Sequence, residues 1–297
     1  LFPPLLVGQS LIFNTGISEI EAIHSALSAG VSLIKLTPAH LRALQPLLSA
    51  QPLNKDSLPK ALVIGGESLH DHHVSLWRKQ YPEVALINEY GPTEAVVGCC
   101  VHWVDQDDQG SLPIGRPIDG VQLYVLDQYL DPVPVGVPGE LYIGGPGVAR
   151  GYLNRPDLTA EKFIQNPFAG EQGGNAHPTS DSGLYKTGDL TYYDSNGTLH
   201  HLGRIDNQLK VHGFRIEPGE IEALLCQHDQ VNQAVVLLNK DHGREQLVAY
   251  IVSSHKGSNN SSQLIAELRN HAAQALPAYM VPAQFIELDQ LPLTSNG

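Results

Sequence analysis

The sequence predicts an α/β protein: a parallel sheet layer plus a small β-rich subdomain, followed by a small mobile α+β domain at the carboxyl end. Three observations carry this expectation. Over residues 10–87, short apolar runs alternate with segments whose apolar residues recur at helical spacing, the pattern of strands joined by helical crossovers. From Gly115 onward short strand-like runs separated by turn residues take over, and after Pro218 helix and strand signals mix again.

Taken in order, residues 10–14 read as a short strand, 17–29 as a helix, and 32–36 as a strand running into Thr37 and Pro38. Residues 39–48 read as a helix, 61–64 as a strand ending in Gly65 and Gly66, 69–81 as a helix and 84–87 as a strand. Such alternation implies a parallel sheet covered on both faces, with Lys35, Gly65 and Glu89 at its carboxyl edge, where α/β proteins bind ligands. Strands follow at 121–127, 140–144, 190–193, 199–202 and 208–211, as an antiparallel or barrel-like subdomain, with the polar stretch 169–175 as a surface loop. In the last part, 220–227 and 262–275 read as helices and 234–238, 247–252 and 284–287 as strands. The expected divisions are 1–114, 115–205 and 206–297.

Composition limits the function. With 42% hydrophobic and 16% charged residues, 28 Gly and 21 Pro, the chain suits a loop-rich α/β protein and not a coiled coil or a disordered tail. A net charge of -13 disfavours nucleic acid and anionic membrane as partners and leaves small ligands and proteins. Cys99, Cys100 and Cys226 lack metal-ligand spacing, no apolar run approaches the roughly 20 residues that span a bilayer, and no signal peptide is read, so a reduced cytoplasmic protein is expected. The chain opens on Leu1-Phe2-Pro3-Pro4 without a Met and is read as a piece of a longer polypeptide.

The most informative stretch is Asn88-Glu89-Tyr90-Gly91-Pro92-Thr93-Glu94, just past an apolar run. A strand ending in an abrupt Gly-Pro turn presents an aromatic face, a hydroxyl and a carboxylate together: a surface for a base, a contact for a phosphate oxygen and a hard oxygen for Mg²⁺. Other local patterns fare worse. Gly145-Pro146-Gly147-Val148-Ala149-Arg150-Gly151 has the wrong spacing for a dinucleotide fingerprint, and Pro146 removes a backbone donor. His70, His72 and His73 around Asp71 read as a solvated helix start, because adjacent helical histidines point apart. There is no phosphate loop of the P-loop type and no serine nucleophile elbow.

The turn has company at wide intervals. Gly139-Glu140-Leu141-Tyr142-Ile143-Gly144-Gly145 leads to Ala149-Arg150-Gly151-Tyr152-Leu153, then Tyr185-Lys186-Thr187-Gly188-Asp189-Leu190 and Gly203-Arg204-Ile205-Asp206. Gly213-Phe214-Arg215-Ile216-Glu217-Pro218-Gly219-Glu220 and Leu276-Pro277-Ala278-Tyr279-Met280-Val281-Pro282 follow. Together these resemble the adenylation domains of nonribosomal peptide synthetases, in the acyl-adenylate-forming superfamily, over essentially the whole chain.

The resemblance implies the chemistry: ATP and a carboxylate give an acyl adenylate and pyrophosphate, and the acyl group passes to a phosphopantetheine thiol. It implies Mg²⁺, and as partners an amino acid, a peptidyl carrier domain and a condensation domain of the same synthetase. By resemblance Tyr90 stacks on adenine, Thr93 touches the α-phosphate region and Glu94 helps hold Mg²⁺. Asp189 takes the ribose hydroxyls, Arg204 adds positive charge near ribose and phosphate, and Gly65 and Gly66 let backbone lie close to adenine and substrate. Asn88 and Gly91 join the nucleotide set, Thr93, Glu94 and Arg204 form the catalytic set, and Asp206 is the hinge of the small domain. The family's Ser/Thr/Gly-rich phosphate loop, its aspartate for the substrate α-amine and its Lys after the terminal Asn-Gly are missing, so the chain alone is expected not to form adenylate.

Matching the surrounding motifs puts Lys35, Val63, Gly65, Glu89, Val97 and Gly98 at the pocket positions. A Lys donor beside a Glu acceptor complements a side-chain amide, and the glycines leave room. The pattern resembles that of asparagine-activating domains, which makes L-asparagine the first choice and aspartate the second; a Lys35–Glu89 pair around a different substrate is the alternative. An acyl-CoA or aryl-acid ligase of the same superfamily and a noncatalytic docking module remain as other functions.

Overall fold

The computed structural model describes residues 5–12, 18–169, 183–211, 213–241, 244–254 and 261–292. They fall into two compact units, Leu1–Thr187 with Thr191–Leu202, and Gly188–Leu190 with Gly203–Gly297.

In the first unit, β1 (Leu33–Leu36), β2 (Ala61–Gly65), β3 (Ala85–Tyr90), β4 (Cys100–Trp103) and β5 (Arg116–Pro117) form one sheet in that order. The expected strands β1, β2 and β3 are parallel, and two further strands make the sheet mixed at its edge: β4 runs antiparallel to β3 and β5 antiparallel to β4. The cause is chain length. A parallel return needs a crossover of a dozen or so residues, and only residues 91–99 separate β3 from β4.

Helices α1 (Glu19–Ser28), α2 (Pro38–Ala50) and α3 (Asp71–Gln80) supply the crossovers. Ser18 caps α1, its hydroxyl accepting from the Glu21 N–H at 3.4 Å and donating to the Glu21 carboxylate at 2.8 Å. Thr37 caps α2 through the His40 N–H, and Pro38 occupies the first turn, where its missing donor costs nothing. Leu27, Leu41, Leu44, Leu48 and Trp77 from the helices meet Leu62 and Ile64 of β2 in a solvent-free core. The opposite sheet face is less covered than expected. Along β2 and β3 burial alternates, and Leu33 and Trp103 stay 60% and 65% exposed, so among the described residues the helices seal one face. Side chains alternate along a strand, and Lys35, Val63 and Glu89 therefore share that more open face.

Residues 10–12 carry no strand, and 13–14 lie outside the described residues, as do 170–175 of the expected loop. The β-rich part forms a second sheet of β6 (Gln122–Leu126), β7 (Gly139–Gly144), β9 (Gly183–Tyr193) and β10 (Leu199–Arg204), in the order β10-β9-β7-β6, with β8 (Phe163–Gln165) antiparallel to β9. A short helix, α4 (Pro156–Lys162), precedes β8. Leu141, Ile143 and Leu199 from this part pack with Tyr90, Cys99 and Cys100 in a core of their own.

The second unit pairs β11 (Leu209–Val211) with β12 (Phe214–Ile216), follows with α5 (Pro218–Leu225), and builds a sheet from β13 (Val231–Asp241), β14 (Arg244–Ser253) and β15 (Gln284–Leu288). Ile216, Ile221, Leu225, Ala249, Leu268 and Ala272 form its core, the last two from α6 (Ser261–Ala275). No described helix is long and apolar enough to cross a membrane.

Of the histidines at the start of α3, His72 is exposed as expected and His73 is not. His73 is 6% exposed, its Nδ1 accepts the His70 N–H at 3.1 Å, and its ring centroid lies 4.0 Å from that of His72. At the third helical position it reaches back to the N-cap N–H, the part a Glu or Gln plays in a capping box. No group of three or more potential ligands stands ready for a metal among the described residues. Burial, assisted by the neighbouring His72, Arg42 and His70 charges, lowers the His73 pKa from 6.5 to about 4. With the folded value below the unfolded one, the unfolded chain binds more protons between pH 6.5 and 4, and stability is lost as pH falls through that window. We expect the thermal midpoint to drop from pH 7 to pH 5, and a smaller drop in His73→Gln, measured by circular dichroism.

Candidate functional site

Strand β3 and the turn after it hold most of the expected site. On the open sheet face, Lys35 Nζ forms an ion pair with Glu89 Oε2; the Lys35 side chain is 48% exposed and that of Glu89 19%. Val63 stands in register with Lys35, and Gly65 in register with Glu89, so four of the six expected pocket residues are neighbours across three strands. Gly98 is the fifth, while Val97 stands 52% exposed in the turn before it. A Cβ on Gly98 would lie 2.5 Å from Glu89 Oε1, so the carboxylate occupies the space that any side chain at 98 would need. The alternation of β3 turns Asn88 to the other face, where it is buried and its Nδ2 donates to the Pro113 carbonyl at 2.6 Å. Asn88 thus anchors the strand end.

The turn is folded tightly on itself. The Cys99 N–H donates to the Tyr90 carbonyl at 2.9 Å, and the Ala95 and Val97 N–H groups both donate to the Pro92 carbonyl. A Cβ on Gly91 would fall 2.4 Å from the Val97 carbonyl oxygen, so this crossing admits only glycine. Between them Thr93–Ala95 form one 3-10 turn that leaves Thr93 exposed and buries Glu94. Tyr90 is 6% exposed within its core, with its ring centroid 6.0 Å from that of His201. Val96 and Val97 then take positive φ values of 62° and 67°, conformations that branched side chains resist.

Glu94 is held from one distant segment. Its carbonyl accepts the Ala149 N–H at 2.8 Å, and its Oε1 accepts the Tyr152 hydroxyl at 2.5 Å. Burial, with hydrogen bonds to Glu94 and Tyr185, raises the Tyr152 pKa well above the usual tyrosine value, so the phenol keeps its proton and donates. One carboxylate with an exposed hydroxyl beside it fits Mg²⁺, which takes hard oxygens and is commonly held by one or two carboxylates together with substrate phosphates.

The remaining expected residues gather in the second unit. Arg204 donates to Asp189 Oδ1 at 3.1 Å and, through two nitrogens, to both oxygens of Asp206 at 2.6 Å. Asp189 is buried, and Asp206 also accepts the Gln208 N–H. Burial disfavours the Arg204 charge, but its hydrogen bonds to Asp206 and the two carboxylate charges outweigh it and raise its pKa. A guanidinium clamped between two carboxylates fixes their orientation.

Residues 1–153 match the model of the AMP-binding enzyme family, and 220–297 that of the AMP-binding enzyme C-terminal domain. The chain belongs to the AMP-binding enzyme family. Within it, the chain is similar over its whole length to segments of nonribosomal peptide synthetases. Bacitracin synthase 3 of Bacillus licheniformis is 40% identical over 100% of this chain and 4% of its own length. Gramicidin S synthase 2 of Brevibacillus brevis is 42% identical over 100% of this chain and 6% of its own. This AMP-binding chain therefore spans about a tenth or less of the curated relatives it matches. Among solved structures, a holo NRPS protein containing adenylation and PCP domains bound to a vinylsulfonamide inhibitor superposes with a TM-score of 0.74 at 27% identity, covering 94% of this chain and 44% of that one.

Tyr152 and Thr159 escaped the residue-level reading of this AMP-binding chain, although Tyr152 stands inside one of the quoted motifs. Its 58-residue separation from Glu94 gave no local signal. The strained valines generate a test. Asparagine tolerates positive φ without the added backbone freedom of glycine, and Val97 is 52% exposed, so Val97→Asn should stabilise the fold by about 1 kcal/mol in urea denaturation.

Proposed function

We propose that this chain is part of a domain that activates an amino acid for nonribosomal peptide synthesis, acting together with the family segments missing from this sequence. The substrate carboxylate attacks the α-phosphorus of ATP, pyrophosphate leaves, and the acyl group then passes from AMP to the phosphopantetheine thiol of a carrier domain. The observation that carries the reading is the single turn after β3. It turns the Glu89 carboxylate to the open sheet face beside Lys35 and buries the Glu94 carboxylate on Tyr152 five residues later.

In this proposal Thr93 contacts phosphate and the base rests on the small part of Tyr90 that its core leaves open. Gly65, Gly66 and Gly91 keep backbone near the nucleotide. Glu94 holds the cation, which supplies charge neutralisation where negative charge builds during the displacement. Asp189 takes the ribose hydroxyls and Arg204 serves as the nearby positive charge. Asp206 serves as the hinge, its two hydrogen bonds to Arg204 steadying one state.

For the substrate we propose an amide side chain, L-asparagine first and aspartate second. The Lys35–Glu89 pair favours this reading more than it opposes it. With Lys35 half exposed, the pair contributes about 1 kcal/mol or less, so an amide can separate the two and satisfy both. An apolar side chain would leave two charges unsatisfied. Carrier-domain transfer draws support from the solved relative that contains adenylation and PCP domains.

ATP–pyrophosphate exchange on the full-length protein bearing this chain should favour asparagine over aspartate and glutamine by tenfold or more, and Glu94→Gln should lower the rate at least as much. Preference for leucine or phenylalanine would remove the amide reading and leave the adenylation reading standing. For the hinge, Asp206→Pro should keep one half-reaction and lose the other, with Asp206→Asn as control for the lost Arg204 contacts; both half-reactions at normal rates would contradict it.

A further inference from the structure

We propose that Tyr152 is a positioning residue that fixes the direction in which the Glu94 carboxylate meets its divalent cation. The inference rests on the reading of Glu94 as metal ligand given above. A glutamate on a one-turn 3-10 segment has three side-chain torsions to settle, and a hydrogen bond to one oxygen fixes the last of them. The Tyr152 hydroxyl makes that bond at 2.5 Å, and the Ala149 N–H holds the Glu94 carbonyl at 2.8 Å, so the segment 149–152 grips Glu94 at both ends.

Tyr152 is itself built in rigidly. Its N–H donates to Thr159 Oγ1 at 2.9 Å, and the same hydroxyl donates to the Arg155 carbonyl at 2.8 Å. Its ring meets Phe163 edge-on at 5.5 Å, and Phe163 in turn packs on Tyr185 at 5.1 Å. The preceding residue allows this approach, since a Cβ on Gly151 would lie 2.4 Å from the Thr159 methyl carbon. A phenol held at main chain and ring is a better reference point for a carboxylate than the turn that carries it. Hydrogen-bond partners of metal-ligating carboxylates set ligand orientation, and their loss costs about 10–100-fold in metal affinity or activity.

The test is Tyr152→Phe in the full-length protein, which keeps the ring packing and removes the hydroxyl. The Mg²⁺ concentration for half-maximal ATP–pyrophosphate exchange should rise about tenfold, with the amino-acid KM unchanged. Mn²⁺ binding in the presence of ATP, followed by electron paramagnetic resonance, should weaken by a similar factor. Thr159→Ala, which frees the Tyr152 main chain without touching Glu94, should shift both in the same direction by less. In a Glu94→Gln background Tyr152→Phe should add nothing further. Unchanged Mg²⁺ dependence and Mn²⁺ affinity in Tyr152→Phe, or a fall in kcat with both constants intact, would overturn the proposal while Glu94→Gln still shifts them. If Glu94→Gln itself leaves both unmoved, the metal reading of Glu94 fails and this proposal with it.

Discussion

The first unit depends on one crossing of the main chain, where the Val97 carbonyl passes over Gly91 and the Cys99 N–H closes on the Tyr90 carbonyl. Every nearby feature follows from it. The reversal sends β4 back antiparallel to β3, so it ends the parallel part of the sheet. It also brings Gly98 under Glu89 and forces Val96 and Val97 into positive φ. Strain of this kind persists only where the surroundings over-determine it, and here hydrogen bonds to the Pro92 and Tyr90 carbonyls and the core around Cys99 and Cys100 do so.

Two carboxylates in that turn meet opposite environments. Glu89 lies on a half-open face against a lysine that reaches into solvent, an arrangement that rearranges at little cost. Glu94 is buried and bonded to a phenol locked at both ends, an arrangement that resists movement. One strand end and its turn thus carry an easily moved carboxylate and a stiffly held one five residues apart.

Much of this was legible in the sequence because periodicity records burial. The helices now seen as Glu19–Ser28, Pro38–Ala50 and Asp71–Gln80 carried apolar residues at helical spacing, and the parallel strands carried β-branched or Leu-rich runs. The antiparallel strand Cys100–Trp103 was not legible, since four residues with a cysteine, a valine, a histidine and a tryptophan show no clear alternation. Helix α4 was too short to announce itself, and its Thr159 serves Tyr152 through a contact that spacing does not encode. The buried His73 was misjudged because helical geometry alone separates adjacent side chains, whereas the rings of His70, His72 and His73 gather against the helix start. Asn88, grouped with the nucleotide contacts by position, anchors Pro113 because strand alternation turns it away from Glu89.

The contact between Gly98 and the Glu89 carboxylate couples two positions that a redesign would otherwise treat as independent. A side chain at 98 would press on the flexible end of Glu89, so it asks that carboxylate to swing aside or a shorter residue to stand at 89. The shape of this part of the open sheet face is therefore set by the two positions together. Varying 89 and 98 together would sample shapes of that face that changes at one position alone do not, without disturbing the turn that carries Glu94.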